Sequence, residues 1–105
     1  MTLTLTNHAR YDRMERLTKI IDYVGIDKII IETRQHNGTG MARYGLTRSG
    51  VVLVRSDDGK QLITGFLANI DRATAMFCSL GYPSVPKNIA KVIVKNMTMY
   101  ADLIE

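Results

Sequence analysis

The chain has no tryptophan, one cysteine and two prolines, and it lacks any apolar run near the roughly 18 residues that cross a bilayer. Each absence excludes something. Cys78 cannot form an internal disulfide, so nothing ties the chain to an oxidising compartment. Together with only two histidines, the lone thiol also excludes a structural zinc site. No signal-peptide pattern opens the sequence, so a cytoplasmic setting and no membrane partner are expected. A phosphate-binding glycine loop is missing too. "GTGMARYG" has no Lys-Ser/Thr and precedes a strand pattern rather than a helix. The carboxylates are scattered over the first helical segment, one turn (Asp57, Asp58) and the termini, with no pairing for hydrolytic chemistry. No cofactor and no metal are expected, and no standard metabolic motif is present.

What remains is a basic globule. The 105 residues suit one domain, 1–105, with a single core. A hydrophobic fraction of 46% and a charged fraction of 23% are ordinary for a folded domain. Fourteen Lys and Arg against ten Asp and Glu give a net charge of +4 and a pI near 9.4. That excess favours an anionic partner, either nucleic acid or an acidic protein surface.

The periodicity predicts an α+β domain: an N-terminal helix, a four-stranded antiparallel meander and two C-terminal helices, with the helices on one side of the sheet. The first helix takes Thr6 or Asn7 as N-cap and Gly25 as its C-terminal stop. On a helical wheel Met14, Leu17, Ile21 and Val24 share an arc about 80° wide. Asp12, Glu15, Arg16, Lys19 and Asp22 read as the wet side. Arg10 projects along the middle of the apolar arc and Arg13 lies at its edge. Each is either an arginine laying its stem on the core or an anion-binding group at the mouth of a helix–sheet groove.

"KIIIETR" (28 to 34) alternates Ile29, Ile31 and Thr33 against Ile30, Glu32 and Arg34, as a half-buried strand does. "HNGTG" turns the chain into residues 41 to 47. There Ala42, Tyr44 and Leu46 alternate with Arg43, Gly45 and Thr47. "VVLVRS" and "QLITGFLA" follow, joined by the Asp-Gly turn of "DDGK". In the C-terminal part Asn69 is an N-cap, and Ala73, Met76, Phe77 and Leu80 form a stripe that Gly81 ends. Cys78 reads as a small packed thiol. Ser84 caps the last helix with Pro86 near its first position. Ile89, Val92, Ile93, Met97, Tyr100 and Ile104 point inward, and the face of residues 86 to 104 could pair in a homodimer. Lys87, Lys91 and Lys95 recur every four residues on an outer row. They are either a solubilising row or one that tracks phosphates or an acidic protein.

One reaction suits this inventory: metal-independent RNA cleavage. It needs a proton acceptor and donor, and cations around the charged phosphorane. His8, His36, Arg10, Arg34, Arg43 and Tyr44 could supply them, although spacing does not bring His8 and His36 together. The order of elements, opened by "HARYDRMERL" and followed by "GVVLVRSDDGKQLITGFLA", resembles the RelE/barnase-like (BECR) small nucleases of toxin modules and phages over residues 5 to 68. The resemblance places His8, Ala9, Arg13 and Arg16 in a helix motif and Thr64 at a hairpin position, with Arg13 one residue off the pattern. If the chain is such a nuclease, its catalytic candidates are His8 and Arg13 together with His36 from the inventory above; the resemblance says nothing of the C-terminal helices.

Two functions follow as expectations. The first is a non-catalytic binding protein of phage or mobile-element type, which blocks nucleic acid or a nucleic-acid-processing enzyme as anti-defence inhibitors do. The second is a RelE/barnase-like endoribonuclease. The contact surface expected for the first is Arg10, Arg13, Arg34, His36, Arg43, Arg55, Lys87, Lys91 and Lys95. Lone arginines on strands, rather than a set of converging acid–base groups, favour the first.

Overall fold

A computed structural model describes residues 4–5, 14–38 and 40–104. The order is β1 (Thr4–Leu5), α1 (Met14–Tyr23), β2 (Ile29–His36), β3 (Met41–Thr47), β4 (Val51–Ser56), β5 (Gln61–Leu67), α2 (Ile70–Ser79) and α3 (Lys87–Met99), then a 3₁₀ turn (Ala101–Leu103). The α+β class and the β2–β5 antiparallel meander are as the sequence predicts. A two-residue strand is added: β1 lies parallel to β5, giving the order β1-β5-β4-β3-β2.

The helices do not share one side of the sheet, as expected, but cover both. On one face Leu46, Val52, Val54 and Phe66 pack with Ala73, Met76 and Phe77 of α2 and with Ile89 and Ile93 of α3. On the other, Val51, Leu53 and Leu67 pack with Leu17 and Ile20 of α1 and with Leu103. The reason lies in β4, where Val51 through Val54 are all buried. A continuous apolar run is the mark of a strand covered on both faces, since successive side chains point to opposite sides.

This second layer needs glycine. A Cβ on Gly65 would stand 2.9 Å from Leu17 Cδ1, and one on Gly45 would stand 2.7 Å from Ile29 Cδ1. The two glycines sit on one face, linked by register through Leu53. They let α1 and Ile29 lie directly on the backbone.

Three local expectations are corrected. A register shift between Ile29 and Ile31 takes Ile29 out of the predicted alternation, which holds from Ile31 onward. Ile29 therefore packs with the α1 layer and Ile31 with the α2–α3 layer, on opposite faces. On α1, Ile20 is fully buried while Ile21 is 52% exposed. The buried arc is thus turned by about 45° from the one the wheel suggests, toward Arg16. Pro86, not Ser84, is the N-cap of α3, and it makes no side-chain cap. Gly25 ends α1 as expected, its N–H donating to Ile20 O at 2.9 Å, and Asn69 caps α2 by accepting from Arg72 N at 2.7 Å. Asn96 is buried and donates to Ser49 O at 2.8 Å, which ties α3 to the β3–β4 turn.

Candidate functional site

The meander places Arg34, Arg43 and Arg55 in one cross-strand row. Arg34 pairs with Arg43 in the β2–β3 register, and Arg43 with Arg55 in the β3–β4 register. Residues opposite one another on antiparallel strands share a face, so the three guanidinium groups converge. His36, two residues beyond Arg34 with no bulge between them, lies on the same face.

Three like charges side by side on neighbouring strands are unfavourable, and the fold offsets them with acids. Arg34 grips Asp57 with both ends of its fork, Nε to Oδ1 at 2.5 Å and a terminal nitrogen to Oδ2 at 2.7 Å. Arg43 Nε donates to the Asp57 backbone carbonyl at 2.7 Å, and a terminal nitrogen approaches Glu32 at 3.8 Å. Arg55, about nine-tenths buried, meets Glu32 Oε1 at 2.9 Å. That contact is an ion pair without hydrogen-bond alignment, since Glu32 Oε1 and Arg55 Nε both lack a hydrogen-bond partner. Three positive charges against two negative leave the cluster at +1. The Arg34 hydrogen bonds hold the Asp57 carboxyl below the usual carboxylate range, with the charges of Arg34 and Arg43 acting the same way. Asp58 is lowered chiefly by Ser56, which donates its hydroxyl to it at 2.6 Å.

The lysine row is arranged differently. Lys87, Lys91 and Lys95 are all exposed on α3. This helix contains no acidic residue, and none of the three has an ion-pair partner among the described residues. At 1.5 Å rise per residue they stand about 6 Å apart and span about 12 Å. Exposed Val94 and Met99 flank them.

The remaining candidates separate. His36 is exposed, and its Nδ1 accepts from Gly38 N at 3.2 Å, which leaves Nε2 as the proton-bearing nitrogen of the neutral ring. His8, Arg10 and Arg13 lie outside the described residues. Tyr44 is on the opposite face from the arginine row, sharing its side with Thr33 and Val54. Cys78 is exposed rather than packed.

Arg16 does not belong to the wet side where the wheel puts it. Its Nε donates to Gly65 O and its terminal nitrogen to Thr64 Oγ1, both at 3.0 Å. Its guanidinium carbon stands 5.7 Å from the Phe66 ring centre. A residue that sequence reasoning misses is Arg72. It stacks at 4.8 Å over Phe66 and at 6.0 Å from Tyr44, and its Nε is buried with no hydrogen-bond partner among the described residues. With Gln35, Asn69, Asp71, Ala75 and Met76 it lines an open hollow of about 370 Å³. A signal exists, because Arg72 precedes Met76 by one helical turn at the edge of the apolar stripe, the argument applied to Arg10 and Arg13. Among the described residues no group of His, Cys, Asp and Glu could hold a metal ion, and no helix is long and apolar enough to cross a membrane.

Compared with known proteins, the chain matches no family model, no curated protein and no solved structure.

Proposed function

We propose that this chain is a small basic binding protein of phage or mobile-element type, which blocks nucleic acid or a nucleic-acid-processing enzyme without transforming it. The observation that carries the reading is the uncompensated lysine row on acid-free α3. Counterion release from phosphates, or steering toward an acidic protein, needs cations not already paired within the fold. Arg34 and Arg43 keep 58% and 43% of their side chains exposed and form a separate, secondary basic surface on the face of the sheet opposite α3. Fluorescence anisotropy at low salt with labelled single-stranded RNA, duplex DNA and polyglutamate tests it. Binding of at least one probe is expected, weakened by K87E/K91E/K95E more than by R34E/R43E. Failure of all three probes to bind overturns the reading.

One observation favours the RelE/barnase-like endoribonuclease as a second reading. Arg16 and Thr64, placed in the helix motif and hairpin position by the resemblance, are hydrogen-bonded to each other at 3.0 Å. In that reading His36 on the arginine face, with His8 and Arg13, is the catalytic candidate. RNA cleavage in EDTA, lost in His8→Ala or His36→Ala, would replace the first proposal with this one.

A further inference from the structure

The two edges of the sheet are finished in opposite ways. Along β5, β1 pairs with Gln61 and Leu62, Arg16 donates to Gly65 O, and Ile104 bridges Leu67. Strand, guanidinium and C-terminal segment together close that edge. At the other edge β2 is eight residues long, and no strand meets its outer backbone among the described residues. "IIIETRQH" carries neither proline nor lysine, and its two charged residues, Glu32 and Arg34, are of opposite sign, so they can complement a second copy rather than only repel it. The register shift at Ile29/Ile31 disrupts only its first residues and leaves Ile31–His36 regular.

We infer that β2 pairs with β2 of a second copy of this chain, antiparallel and centred on Thr33, to form one continuous ten-stranded sheet. A two-fold axis through an antiparallel pair requires opposed residues to share a face, so its centre must fall on a residue, not between two. Within Ile31–His36, two centres give five paired residues. Centring on Arg34 sets two guanidinium groups directly opposite each other. Centring on Thr33 sets Glu32 against Arg34 of the second copy, twice, and Thr33 against its own counterpart. Charge complementarity selects the second register. Arg34 and Glu32 keep their partners Asp57 and Arg55 within the chain; the pairing adds a neighbour of opposite sign to each. The two arginine rows then lie on one continuous face.

The test is sedimentation velocity on the full chain, with disulfide trapping in a Cys78→Ser background because Cys78 is exposed. The wild type is expected to dimerise at micromolar concentration. Arg34→Glu, which sets two carboxylates opposite each other at both ends of the pairing, should weaken dimerisation about tenfold while circular dichroism confirms an intact fold. Opposed Cβ atoms on paired strands stand about 4.5–5.5 Å apart, near disulfide reach. Thr33→Cys should therefore cross-link on mild oxidation and Arg34→Cys should not. A wild type that stays monomeric to about 100 µM, far above the expected range, overturns the inference. Cross-linking by Arg34→Cys instead of Thr33→Cys overturns the register, and a dimer that neither variant traps places the interface elsewhere and overturns it too. None of these readouts depends on whether the chain binds an anion.

Discussion

The arginine row and the lysine row carry the same formal charge, three positive groups each, and differ in what the fold has done with it. On the sheet, register brings residues from three strands side by side, so unlike charges meet as readily as like ones. Glu32 and Asp57 arrive with the arginines. The planar guanidinium fork suits a carboxylate bidentately, as Arg34 and Asp57 show. On α3, neighbours come from one segment that contains no acid, and the compact, hydrated lysine heads stay in water. Counting basic residues thus overstates the free charge of the sheet face and not that of the helix.

The sharpest way to break this comparison is by salt dependence. If a phosphate partner is gripped by the lysine row, K87E/K91E/K95E should lower the slope of log K against log salt by about three units. R34E/R43E, with two substitutions, should lower it by well under two units, because those guanidinium groups are already shared with acids. A loss of about two units, one per arginine, would mean that internal pairing does not matter.

Stability should separate the rows in the opposite sense. Arg55→Met leaves the Glu32 oxygen with only the 3.8 Å approach of Arg43 and should cost about 1–3 kcal/mol by urea denaturation. Lys91→Met should stay within about 0.5 kcal/mol, as for an isolated surface charge. Arg16→Met, which strips the bonds to Gly65 and Thr64, should fall between them at about 1–2 kcal/mol.

The smallest effect is pH dependence. Asp57 is held below its ordinary value in the folded state. Its contribution is therefore present above the unfolded value and lost as pH falls through the folded one. Denaturant midpoints measured between about pH 6 and pH 2 should drop more for the wild type than for Asp57→Asn. Identical curves would show that the Arg34–Asp57 pair is too well solvated to matter.

Much of this architecture is readable residue by residue. Alternation in Ala42, Tyr44 and Leu46 sets the phase of β3, Asp-Gly at 58–59 marks the β4–β5 turn, and Asn69 and Gly81 bound α2. Local errors arise where neighbours from far along the chain intervene. The phase of Ile29 depends on a bulge opposite β3, and that of Ile20 and Ile21 depends on how α1 leans toward Gly65. Cys78 beside Phe77 suggests burial only because adjacency does not say which way a helix turns. The candidate surface is half legible: Lys87, Lys91 and Lys95 share a helix row by spacing alone, whereas the partners of Arg34 and Arg55 lie in other strands and turns.

The amino-acid order by itself determined the four meander strands, the three helices and the turns between them, the basic excess and the acid-free lysine helix, since all of these follow from local periodicity and composition. Only the tertiary structure decided that helices cover both faces of the sheet, that Arg16 and Arg72 stack on Phe66, and that three arginines share two acids. Those outcomes depend on register and layer packing, where a shift of one residue moves every side chain to the opposite face.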